Sequence, residues 1–165
     1  MEVSEACDRA EIRLLMDRYA LACDSGDWKA FRELFTADCV CDYTEFGGAR
    51  ADLETTVAWL SHGLSRYAGL QHNMTTHYAE ISGQTARAVT YFIAYHTTVN
   101  PAGGEDMMVL GGFYQDRLVK QRDGWRISER ADVATWIGTP IPPRLDPPPP
   151  WYGTMNHHKP VLLPD

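Results

Sequence analysis

The stretch Ala22-Cys23-Asp24-Ser25-Gly26-Asp27-Trp28 decides how the first half of this chain is read. Upstream of it, Ile12, Leu15, Met16, Tyr19, Ala20 and Cys23 recur at helical spacing and give a helix with one apolar face. Asp8 and Glu11 read as a capping box that opens this helix. Gly26 stops it, because glycine takes up the left-handed backbone of a helix end without a steric penalty. Asp27 then caps a second short helix, with Trp28, Phe31, Leu34 and Phe35 as its apolar stripe. Asp24 falls in the last turn of the first helix, where the helix dipole favours cations. That conflict points to a partner elsewhere, and His72 and His96 are the candidates.

Further along, Val40 to Thr44 reads as a short strand ended by Gly47 and Gly48. Asp52 caps a third helix that carries Leu53, Val57, Leu60 and Leu64. After Gly69 the segments His72 to Ile81, Ala86 to Val99, Met107 to Gln121 and Trp125 to Trp136 are rich in Thr, Tyr, Val, Ile and Phe, as strands are. Gly83-Gln84, Pro101 to Gly104 and Asp123-Gly124 supply the turns. Helices followed by antiparallel strands predict an α+β fold, a curved sheet with about three N-terminal helices packed on one side. Gly111-Gly112 in mid-strand predicts a bend or bulge.

The 165 residues suit a single domain, expected over 1–137. Residues 138–165 form a proline-rich extension that can be neither helix nor central strand. Its apolar Ile141, Leu145, Trp151, Tyr152 and Val161-Leu162-Leu163 favour packing on the domain or on a neighbouring subunit, and Trp151 and Tyr152 are placed to close a cavity mouth. A net charge of −7 with no basic block argues against nucleic acid and anionic membrane surfaces as partners. No apolar run is long enough to span a membrane and no signal-peptide pattern opens the chain, so a cytoplasmic location is expected. Cys7, Cys23, Cys39 and Cys41 make no Cys-x-x-Cys pair and read as reduced thiols.

Strand alternation sorts the later side chains by face. His72, Met74 and Thr76 share one face, with His77 on the other, unless a bulge intervenes. His96 goes with Phe92 and Ala94, Tyr43 with Cys39 and Cys41, and Gly111 with Phe113 and Gln115. If the concave face is the apolar one, His72, His96 and Tyr43 meet in one cavity, with Met74, Phe92, Phe113, Gln115 and Trp136 as expected walls and Met107 and Met108 at the entrance. An apolar cavity with a few polar groups suits a hydrophobic small molecule. No glycine-rich phosphate loop is present, so nucleotides are not expected as substrates. Asp24, His72 and His96 have the composition of a two-histidine, one-carboxylate iron site, but the histidines lack a familiar ligand spacing, and neither metal nor cofactor is expected.

These residues resemble the nuclear transport factor 2-like superfamily, in its polyketide cyclase-like (SnoaL-like) branch, and within it the scytalone dehydratase group. Cys23-Asp24-Ser25-Gly26-Asp27-Trp28 is similar to that group's Tyr-Asp-Ser-Lys-Asp-Trp, and Cys41 to Phe46 to its Asp-Tyr-x-x-Phe strand. Gln71-His72 and Tyr95-His96 match its two active-site histidines. Cys23 stands where the group has a tyrosine, and Tyr19, one turn earlier, is placed to substitute. Tyr19 and Asp24 are spaced as in bile acid 7α-dehydratase. Gly111 to Asp116 and Arg122 to Trp125 resemble segments of hexachlorocyclohexane dehydrochlorinase, whose active-site arginine has a counterpart in Arg130. The resemblance implies a cone-shaped curved sheet closed by helices, and a homo-oligomer, a trimer before a dimer. It implies a cofactor-free lyase of the dehydratase type, with Asp24, His72, His96, Tyr43 and Tyr19 as its catalytic residues. Isomerase, cyclase or dehydrohalogenase chemistry with the same pair, and a non-catalytic binding module, are the alternatives.

Overall fold

The structure, a computed structural model, describes residues 2–138. The expected extension over 138–165, with Trp151 and Tyr152, lies outside the described residues apart from Gly138. The long helix α1 (Val3–Ser25) leads into the short α2 (Trp28–Arg32) and strand β1 (Phe35–Asp42). A single 3₁₀ turn (Thr44–Phe46) and strand β2 (Arg50–Asp52) precede helix α3 (Leu53–Leu64). Four long strands follow: β3 (Gly69–Ser82), β4 (Thr85–Val99), β5 (Glu105–Gln121) and β6 (Gly124–Gly138). They make one six-stranded sheet in the order β2-β1-β6-β5-β4-β3. β1 runs parallel to β6 and every other pair is antiparallel, so the sheet is mixed. The helices pack on one face, as the α+β expectation required.

The helix ends follow the sequence signals. Gly26 has φ 69°, the Gly26 N–H donates to the Cys23 carbonyl (3.2 Å) and the Asp27 N–H to the Ala22 carbonyl (2.9 Å). This paired closure at a left-handed glycine ends α1 sharply and leaves Asp24 in its final turn. Asp27 caps α2 through Ala30 N–H (3.0 Å), and Asp52 caps α3 through Thr55 N–H (2.8 Å).

The start of α1 corrects the capping-box reading. The helix opens at Val3, so Asp8 lies inside it. The Asp8 carboxylate is buried against the sheet, where it accepts hydrogen bonds from Lys120 Nζ (2.5 Å) and Trp125 Nε1 (2.9 Å). Those two donors hold its pKa below the ordinary carboxylate value. Arg13 ties the same helix to β3 by donating to the carbonyls of Met74 (3.0 Å) and Thr75 (2.9 Å).

Three irregularities in the four long strands set which of their side chains face the helices. In β3 an extra residue falls between Met74 and His77, whose β4 partners are Phe92 and Thr90. His77 therefore shares the inner face with His72, contrary to strict alternation, and its Nδ1 lies 2.8 Å from Thr90 Oγ1. In β6, Ser128 is the extra residue between Ile127 and Glu129, which pair with Leu118 and Arg117. That shift turns Arg130 and Asp132 inward after Trp125 and Ile127. The third lies at Gly111-Gly112, opposite Trp136 and Ala134, as the paired glycines suggested.

A Cβ added at Gly112 would run into the Val133 carbonyl oxygen, whereas at Gly111 it would meet the half-exposed Trp136 ring. Backbone cannot give way as a surface ring can. Gly112→Ala should therefore lower the unfolding free energy by about 1–3 kcal/mol, and Gly111→Ala by clearly less. Urea midpoints of the two variants measure the difference.

Candidate active site

Asp24 and His72 are joined twice. The His72 backbone N–H donates to Asp24 Oδ2 (2.9 Å), and His72 Nδ1 lies 2.5 Å from Asp24 Oδ1. Both side chains are more than nine-tenths buried. The helix end explains why Asp24 is there, and the edge strand β3 explains why a free N–H meets it. A carboxylate only accepts, so Nδ1 carries the hydrogen and Nε2 is the ring nitrogen left for the cavity.

That ring borders a cavity of about 360 Å³ between the inner sheet face, the end of α1 and helix α3. His72 and His96 face each other with ring centroids 5.5 Å apart, and Tyr67 packs on His96 at 4.6 Å. Tyr19 and Tyr43 reach the cavity from α1 and from the residue after β1, and their hydroxyls are 2.9 Å apart. Apolar walls come from Phe46, Trp59, Leu60, Leu64, Phe92, Met108, Leu110 and Ile137, and Tyr114 and Asp132 close the sheet side. Phe92 stacks on Tyr114 with centroids 4.6 Å apart.

Beneath the cavity lies a fully buried charge pair. Arg130 Nε and Nη2 each donate to Asp116 at 2.8 Å. The guanidinium sits 4.3 Å from the Tyr19 ring centroid and 4.1 Å from that of Tyr114. Arg130 thus props up two cavity tyrosines by cation–π contact. Burial pushes the phenols of Tyr19, Tyr43 and Tyr114 well above their ordinary pKa, which keeps them neutral donors. Burial also pushes the Cys23 thiol up to about 12, leaving it unreactive. His96 is pushed down to about 4 by burial and then by neighbouring His72, and is neutral at pH 7.

Of the residues predicted from sequence, Asp24 and His72 pair, and Tyr19, Tyr43, His72, His96 and Phe92 border one cavity. The expected walls need correction. Phe113 and Gln115 point to the outer sheet face, because Tyr114 between them points inward. Met107 also faces outward, and its neighbour Met108 lines the cavity. Trp136 lies across Gly111 on the outer face, and Ile137 takes the inner position. Met74 faces inward but packs into the core beside Phe92, and Arg130 is buried under the floor. Sequence reading missed Tyr67, Tyr114 and Asp132. The Ser128 bulge hid Asp132, since plain alternation from Trp125 puts it outside. Among the described residues no cluster of three His, Cys, Asp or Glu side chains is arranged to hold a metal ion.

The buried His96 predicts a pH effect. Unfolded, it takes up a proton near its ordinary value of 6.5, whereas folded it stays neutral down to about 4. The unfolded state therefore binds more protons over this interval. Its contribution is fully present above pH 6.5 and fades as pH falls toward 4. The urea midpoint should drop between pH 7 and 4.5, and His96→Phe should flatten that drop.

The profile of the SnoaL-like domain matches residues 4–131. The uncharacterized protein Rv2910c of Mycobacterium tuberculosis is 28% identical over 133 residues, which cover 81% of this chain and 89% of that protein. Among solved structures, the Kfla4162 protein of Kribbella flavida superposes with a TM-score of 0.73 at 26% identity, covering 81% of this chain and 95% of that one. A Novosphingobium aromaticivorans protein provisionally named a scytalone dehydratase gives 0.72 at 21% identity, covering 84% and 91%. A hexachlorocyclohexane dehydrochlorinase of Novosphingobium barchaimii gives 0.72 at 13% identity, covering 90% and 100%. The last two likenesses are of fold. With three helices on a six-stranded mixed sheet, the chain belongs to the SnoaL-like domain family, of the nuclear transport factor 2-like fold.

Proposed function

We propose that this protein is a cofactor-free lyase that eliminates water from a small hydrophobic substrate. The observation that carries the reading is the Asp24–His72 pair, whose second ring nitrogen is left to an apolar cavity. A base in that setting is suited to remove a proton from carbon next to a carbonyl, because the apolar cavity keeps competing water low. Asp24 fixes the tautomer and stabilises the imidazolium that forms. The neutral Tyr19–Tyr43 hydroxyl pair is suited to hydrogen-bond the enolate oxygen as charge develops there. His96, held neutral by burial, orients the substrate by hydrogen bonding. The names of the dehydratase and dehydrochlorinase structures that share the fold agree with elimination chemistry.

A homo-oligomer is part of the same reading. Tyr78, Tyr91 and Trp136 are exposed on the outer sheet face, where a neighbouring subunit would cover them.

The test is turnover on a panel of β-hydroxy ketones and their halogenated counterparts. His72→Ala and Asp24→Asn should each lose about 10²- to 10⁴-fold in kcat, the range of a general base, with thermal unfolding little changed. Retention of near-wild-type turnover by both variants contradicts the assignment. Saturable binding of panel members without turnover by the wild type would favour a binding module.

A further inference from the structure

We propose that Asp132 is the general acid of this site, giving its carboxyl proton to a departing hydroxyl. This rests on the elimination reading above and deepens it by naming the group that protonates the leaving oxygen.

Asp132 is 8% exposed and borders the cavity. It stands opposite Tyr114 in the β5–β6 ladder, with the Ser128 bulge aiming it inward. Its Oδ1 is buried with no hydrogen-bond partner among the described residues. A buried carboxyl without a partner is costly unless it stays protonated or meets a ligand. Of the charges around it, Arg130 opposes the proton, and burial outweighs that pull. Arg130, two residues away, is committed to Asp116, and that carboxylate and Glu45 both oppose a further negative charge. Tyr114, Tyr43 and Cys23 also face it, and burial keeps all three neutral. Desolvation holds Asp132 well above the ordinary carboxylate value. A carboxylic acid kept neutral by an apolar site is a recognised catalytic device.

The other groups at the cavity are less suited to proton delivery. His96 is neutral at pH 7, and the buried phenols are weaker acids than in water. Glu45 is exposed and accepts from the Ala134 N–H (2.8 Å). His72 Nε2 takes the C–H proton, the C=C bond forms, and the C–O bond breaks as Asp132 protonates the oxygen, releasing water. The imidazolium proton then returns to the Asp132 carboxylate through that water. A departing halide needs no proton, so an acid here selects β-hydroxy carbonyl compounds over their halogenated counterparts.

Asp132→Asn keeps the shape and a donor but has no proton to give. The first measurement needs no substrate. An infrared difference spectrum between wild type and Asp132→Asn at pH 7 should show the carbonyl stretch of one protonated carboxyl, and a difference containing only ionised carboxylate overturns the proposal. The second compares a β-hydroxy ketone of the panel with its β-chloro counterpart. Asp132→Asn should lose about 10²- to 10⁴-fold in kcat on the hydroxy compound and less than about threefold on the chloro compound. Equal losses on both, or none on the hydroxy compound, overturn it. His72→Ala separates the two readings, because loss of the base lowers both reactions. The melting temperature of Asp132→Asn should equal or exceed that of wild type at pH 7, since folding no longer has to hold a proton that the unfolded chain has released.

Discussion

The buried pair of Arg130 and Asp116 is the constraint on which the site rests. It joins β5 to β6, and its guanidinium carries the rings of Tyr19 from α1 and Tyr114 from β5. Taking one partner away would leave an uncompensated buried charge, a loss of about 3–5 kcal/mol. The pair also occupies the floor of the cavity, where Arg130 pulls the polar groups above it toward ionisation and burial opposes that pull. Oδ1 of neighbouring Asp132 finds no hydrogen-bond partner among the described residues, and desolvation outweighs the pull of Arg130 to hold the carboxyl above its ordinary value. A single packed interaction thus fixes the geometry of the floor, and burial around it sets the charge state of its neighbours.

Above that floor, the cavity combines an oriented imidazole, two linked phenols and apolar walls. Each polar group arrives from a different element, so the site exists only when the sheet curves around the helices. The Schellman closure at Gly26 stops α1 where Asp24 can meet the edge strand β3, and this converts an unfavourable helix-end carboxylate into a hydrogen-bonded one. The conflict with the helix dipole is therefore resolved by the site itself.

The same particulars explain what could be read from sequence. Helix ends were legible because Gly26, Asp27 and Asp52 act through local backbone geometry. The Asp24–His72 pairing was legible because the misplaced charge and the family motif pointed the same way. The pocket walls were not. Facing in a strand depends on parity, and one extra residue inverts everything beyond it. The irregularities after Met74 and at Ser128 turned His77, Arg130 and Asp132 inward, and no side chain nearby announces them. Phe113 and Tyr114, or Met107 and Met108, are equally plausible wall residues until the register is known. Asp8 resembled a cap because its partners, Lys120 and Trp125, lie more than a hundred residues away.

Asp24 holds His72 as the Nδ1–H tautomer with Nε2 free as a base. Nitrogen-15 NMR of histidine-labelled protein reads this directly. Neutral His72 should carry its proton on Nδ1, with a strongly deshielded proton signal that Asp24→Asn abolishes. A His72 protonated on Nε2, or a spectrum unchanged by Asp24→Asn, would contradict it.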